Sequence, residues 1–148
     1  MNGIDLVLRA LHHGESRLAD ELTAVADRHR ADHEVHHVAT DLAHWSHEHT
    51  RRLADTAHDR GLNLDDRPAP LDDPPEPAPL LLLYDLRDLH LRAARNSLHW
   101  EMLAQVAQAT RDDALLALAS ACHPQTLRQM RWTNTMIKNL SPQALTSL

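Results

Sequence analysis

The sequence predicts an all-α protein, an antiparallel four-helix bundle formed as a single domain over residues 1–148, and three observations carry that expectation. Composition is the first: three glycines, one tyrosine and no phenylalanine in 148 residues disfavour a sheet, while abundant alanine, leucine, arginine and glutamate favour helices. Apolar residues, secondly, recur at alternating steps of four and three in long runs, the spacing of a helix with one face on a core. Breaking signals, thirdly, gather at a few places between those runs. A hydrophobic content of 43% is enough to give one domain of this length a core.

The first helix is expected from about Ile4 to Arg28, residues 4–28. Its seam runs Ile4, Leu8, Leu11, Glu15, Leu18, Leu22, Val25, so Glu15 sits on the stripe that faces the core. A carboxylate there loses on the order of several kcal/mol of solvation unless a cation, a metal or hydrogen-bond donors answer it. The second helix is expected over 32–60, although neither glycine nor proline separates it from the first. Phase supplies the boundary. At about 100° per residue, the first stripe continued onward would lie nearly opposite Val35, Val38, Leu42, Trp45 and Leu53. One rod cannot bury both faces in one core, so a tight turn belongs near Arg30 to Asp32, with Asp32 as N-cap.

Gly61 followed by Leu62 has the form of a helix C-cap. Pro68, Pro70, Pro74, Pro75, Pro77 and Pro79 then mark residues 62–79 as a long proline-rich connection. Extended, it reaches roughly 55 to 60 Å, more than the roughly 45 Å of a 30-residue helix, so it is long enough to cross the bundle. The third helix is expected over 80–110. It carries an inward stripe of Leu82, Leu86, Leu89, Ala93, Trp100, Leu103 and Ala107. A second stripe of Leu80, Tyr84, Leu91, Leu98 and Met102 lies roughly opposite and is expected to pair with another copy as a homodimer. The fourth helix is expected over 112–140, kinked or broken at Pro124 and stopped at Ser141-Pro142.

Projection onto the four stripes places polar residues inside. Glu15 lies on the first, His49 on the second, Asn96 and Ser97 flank the third, and Thr126, Gln129, Thr133 and, at the margin, His123 lie on the fourth. Each sits near the middle of its helix. A polar layer midway along a bundle is where metal and cofactor sites are built, because facing helices each supply a ligand away from water.

Two helical hairpins, a long connection between the second and third helices and a carboxylate midway along the first resemble the ferritin-like superfamily. That resemblance covers nearly the whole chain. It implies two irons held by a Glu on the first and third helices and a Glu-x-x-His on each of the others. Glu15 and His49 match that pattern; Ser46 stands at the second glutamate, Asn96 or Ser97 at the third, and the last helix offers His123, Thr126 and Gln129. The incomplete motif weighs against an enzyme. It leaves a candidate site for a single iron, zinc or manganese ion on Glu15, His49 and His123. The alternative is a metal-free oligomeric scaffold or interaction module, in which Glu15 pairs with His49 or Arg52 and Asn96 and Thr126 complete a hydrogen-bond network.

Other features narrow the function. A net charge of −6 with scattered basic residues gives no footprint for nucleic acid or an anionic membrane. No apolar run approaches the roughly 20 residues of a membrane span, and the start lacks a signal-peptide pattern, so the expected location is cytoplasmic. Glycine-rich phosphate loops and nucleophile signatures are absent, and no organic cofactor is expected. Cys122 has no second cysteine to pair with and reads as a core side chain. Most of the thirteen histidines lie in the first two helices; His33 and His37 form an i,i+4 pair, and His37 and His44 fall away from the buried stripe.

Overall fold

The turn that neither glycine nor proline announces lies at residues 29–32, where His29 N–H still bonds the Val25 carbonyl and Asp32 N–H bonds that of His29. Asp32 leaves helical geometry at φ −92°, ψ 106°, and its carboxylate accepts from Val35 N–H at 3.1 Å. It is the N-cap that restarts the chain as a helix. His36 reaches back from the new helix to the Ala26 carbonyl at 2.8 Å, satisfying an acceptor that the end of the first helix leaves free.

A computed structural model describes residues 3–64 and 78–146. They form α1 (Gly3–Arg28), α2 (His33–Asp59), α3 (Ala78–Thr110) and α4 (Asp113–Thr146), with no strand among the described residues. The proline-rich connection lies, for residues 65–77, outside them. No helix of the structure is long and apolar enough to cross a membrane.

Helix α2 ends as the Gly-Leu pair suggests. Gly61 takes φ 69°, its N–H bonds the His58 carbonyl, and Leu62 N–H returns to Ala57 at 2.8 Å, while Leu62 packs on the core. This is the paired hydrogen-bond closure with its hydrophobic contact. Helix α3 closes in the same way without a glycine. Arg111 adopts φ 54°, Asp112 N–H bonds the Ala107 carbonyl at 2.9 Å, and the Asp112 carboxylate then caps α4 through Leu115 N–H at 3.1 Å.

Cross-helix contacts fix the topology. Along α1 and α3, Glu15 lies against Trp100, Glu21 against Arg92 and Arg28 against Asp85, so rising numbers meet falling ones and the two helices are antiparallel. The same holds for α2 and α4, where Leu42 and Ser46 meet Gln129, His49 meets Gln125 and Arg60 meets Asp112. Since α1 and α2 form a tight hairpin, α2 and α3 run parallel. The end of α2 and the start of α3 therefore lie at opposite ends of the bundle. This up-down-down-up order is consistent with the general ferritin-like topology.

The core divides in two. Leu18, Leu22, Val25, Val35, Leu42, Leu86, Leu89 and Met136 pack at one end; Leu8, Leu11, Leu53, Trp100, Leu103, Leu115 and Cys122 pack at the other. Polar residues lie between them. On the outside of α3, Leu91, Leu98 and Met102 are more than half exposed, and Arg87 covers the Tyr84 ring at 4.4 Å.

Helix α4 differs from expectation: it continues through Pro124 and beyond Pro142 to Thr146. A proline removes the bond to the carbonyl four residues back. Here those carbonyls belong to Ser120 and Lys138, residues on the exposed side of the helix, where solvent lowers the cost of a missing donor.

Arg111 marks a place where stability can be gained, because a side chain in the left-handed region is strained and glycine is not. Arg111→Gly is expected to raise stability by about 0.5 to 1 kcal/mol, or roughly 1 to 4 °C in Tm; a thermal melt with Tm unchanged or lowered would contradict this account of the α3 C-terminus.

Candidate functional site

The polar layer between the two apolar clusters is built on Glu15. Its position in the α1 seam makes it fully buried, and all four helices help to hold it. Ser46 Oγ donates to Oε1 at 2.9 Å. His49 Nδ1 donates to Oε2 at 2.7 Å, and Trp100 Nε1 donates to the same oxygen at 3.0 Å. Three donors converging on two oxygens give a buried carboxylate the compensation it requires.

A second ring of contacts holds these donors. Gln129 Nε2 donates to Ser46 Oγ at 2.9 Å and to the Leu42 carbonyl at 3.2 Å, which fixes the hydroxyl so that its proton points at Glu15. His49 Nε2 lies 2.7 Å from Gln125 Oε1. An oxygen on each side of the ring favours its protonated form, in which both nitrogens donate. The Trp100 indole stands edge-on to it, with centroids 5.9 Å apart at 82°.

Burial acts most strongly on His49 and disfavours its charged form. The hydrogen bond and charge of Glu15, together with the Gln125 oxygen, outweigh that penalty and raise the ring's pKa; Arg52 opposes weakly. Glu15 and His49 are thus a buried hydrogen-bonded pair in which both carboxylate oxygens and both ring nitrogens are engaged, the condition under which buried polar pairs persist.

The remaining inward residues are arranged differently. Asn96 is 1% exposed and Ser97 9%, but Asn96 faces the backbone of Gly14: a Cβ added there would meet Asn96 Oδ1 at 2.1 Å. Glycine at this mid-helix position, despite its cost of about 1 kcal/mol, is what allows α1 to approach α3. Thr126 Oγ1 turns back to its own helix, donating to the Cys122 carbonyl at 3.3 Å. His123 is partly exposed, with Nε2 at 2.9 Å from Ser97 Oγ and Nδ1 at 3.7 Å from Glu101. Of the three candidate ligands, Glu15 and His49 are brought together, and His123 is engaged by α3. Among the described residues, no group of three or more His, Cys, Asp or Glu side chains is placed to hold a metal ion.

The seam pattern identified Glu15, His49, Asn96, Thr126 and Gln129 as inward. It did not reveal Gln125 as a partner of His49, because Gln125 lies off the α4 stripe and is only half-buried. Nor did it reveal Asp85, which is 3% exposed and takes Arg28 Nη2 at 3.0 Å and His29 Nε2 at 2.7 Å. Arg28 and His29 at the end of α1 were the available signal. The Cys122 thiol is buried and its pKa is pushed up to about 12, mainly by that burial, which leaves it unreactive in the native state. His33 and His37 stack on the α2 surface at 5.7 Å.

Comparisons with protein-family models, with curated proteins and with solved structures give no match.

Glu15→Ala leaves His49, Ser46 and Trp100 buried without their shared acceptor and is expected to cost about 3 to 5 kcal/mol. Adding His49→Leu should recover part of that loss; a single-mutant cost below about 1 kcal/mol in urea titration would show that the pair is not held as described. The pH dependence has a defined sign. Because the folded ring binds its proton more tightly than the unfolded chain, His49's contribution is fully present below the ordinary value of 6.5 and is lost as pH rises through the raised folded pKa. The urea midpoint should fall over that rise in the wild type and lack this component in His49→Gln; identical pH profiles would exclude the linkage.

Proposed function

We propose that this chain is a metal-free helical bundle serving as an interaction module, in which the Glu15 layer fixes the register of the helices and the surface does the work. One observation carries this reading: both oxygens of Glu15 and both nitrogens of His49 are already engaged by protein groups. A metal ion reaching a nitrogen of His49 would first have to displace Glu15 or Gln125 from it. Self-association fits this reading, through the outer stripe of α3, where Leu98 is 63% and Met102 53% exposed and Leu91, Leu80 and Tyr84 extend the stripe toward the start of the helix.

A second reading is a single iron, zinc or manganese ion on His49. It is favoured by the bond from His49 Nδ1 to a carboxylate, the arrangement that orients metal-ligating histidines and leaves Nε2 for the ion. Glu15 would then orient and neutralise, Gln125 would withdraw, and His123 would leave Ser97 to become the next ligand.

Elemental analysis and sedimentation of one untagged sample separate the two. The first reading expects only trace metal, unchanged in His49→Ala, and a dimer that Leu98→Glu with Met102→Glu converts to monomer. About one equivalent of metal surviving gel filtration in the wild type and lost in His49→Ala would replace the first reading by the second. A wild-type monomer would remove the self-association.

A further inference from the structure

Outside the Glu15 layer, α1 and α3 enclose a groove of about 330 Å³, within the size range of small-ligand sites. Ala10, His13, Gly14 and Arg17 line it from α1; Asp88, Leu91, Arg92, Arg95, Asn96 and His99 line it from α3. Three guanidinium groups therefore border one cleft of a chain whose overall charge is −6.

The carboxylates nearby are already engaged. Glu21 holds Arg92, and burial raises the Glu21 pKa against the opposing pull of that arginine. Asp88 is held by Arg87 at 2.9 Å. Arg95 makes no hydrogen bond or ion pair among the described residues. Its charge in the groove has no counter-ion from the fold.

The floor carries an independent sign. Asn96 is 1% exposed, yet its Nδ2 has no hydrogen-bond partner, and Nδ1 of neighbouring His99 is likewise buried and unpartnered. A buried donor left unpaired costs about 1 to 3 kcal/mol. Gly14 keeps this floor in place, since a Cβ there would collide with Asn96. Three guanidinium groups lining one open cleft favour a ligand with negative charge. Arginine forks match the oxygens of phosphate in paired hydrogen bonds, and Leu91 and Ala10 offer carbon contact beside them.

We propose that the α1–α3 groove is a binding site for a small phosphate monoester, its phosphoryl oxygens held by Arg95 together with Arg92 and Arg17 and its organic part against Leu91 and Ala10. The site is separate from the Glu15 layer and does not depend on whether that layer takes a metal or on whether the chain pairs.

Calorimetric titration of the full chain with phenyl phosphate tests it, with inorganic phosphate and sodium chloride at matched ionic strength as comparisons. Phenyl phosphate should bind more tightly than inorganic phosphate, and chloride should give no saturable signal. Arg95→Gln removes an exposed side chain with no partner in the fold and should weaken phenyl phosphate by about tenfold or more. Arg128→Gln, on the exposed face of α4, should leave it unchanged. No saturable binding of phenyl phosphate up to about 10 mM, where affinity falls below about 3 kcal/mol, would overturn the proposal. Equal losses in the two variants would do the same, because they would reduce the effect to overall charge.

Discussion

A carboxylate at the centre of the bundle, met by donors from its neighbours, is the constraint around which this structure is organised. Glu15 on α1 is bonded by Ser46 and His49 of α2 and by Trp100 of α3, and α4 supplies Gln125 and Gln129 to hold those donors. Taking the two charges from water is expensive, and their attraction alone does not reliably offset it. Donors on both Glu15 oxygens make the arrangement tolerable, and any shift of one helix along another would break those bonds. A slip by a single turn, about 5.4 Å, would leave a buried ion without partners. Apolar contacts at either end of the bundle, being non-directional, would not resist it in this way.

The α1–α3 contact has a different character from the two hairpins. Its pairs are polar or closely packed in sequence along the helices: Arg28 and His29 with Asp85, Glu21 with Arg92, Glu15 with Trp100 and Gly14 with Asn96. Each of these binds a residue before the long connection to one after it. Hairpin formation at residues 29–32 and 111–112 is local, whereas these contacts determine which way the second hairpin faces the first. They select the parallel placement of α2 and α3, and therefore the crossing between opposite ends of the bundle.

Along this same contact the fold leaves groups unsatisfied. Asn96 approaches Gly14 so closely that its amide nitrogen finds no acceptor, and Arg95 stands in the cleft without a counter-ion. In the Glu15 layer both nitrogens of the histidine are used, while Gln129 Oε1 is left without a partner.

By itself the sequence determined the four helices, the inward position of Glu15 and His49, the Asp32 cap and the Gly61 closure. Each depends on spacing or on a conformational preference carried by a few adjacent residues. Periodicity, however, gives direction and not reach. Only the tertiary structure decided that His49 and Ser46, and not Arg52, answer the carboxylate, that Trp100 contributes its indole N–H as well as its bulk, and that His123 turns to Ser97. The run of α4 through two prolines was likewise invisible locally, because its cost depends on whether the freed carbonyls face water. The end-to-end crossing, the buried Asp85 and the cleft at Arg95 arise between helices distant in the chain. No pattern within one helix encodes them; they follow from which side chains the packing brings within about 3 Å of one another.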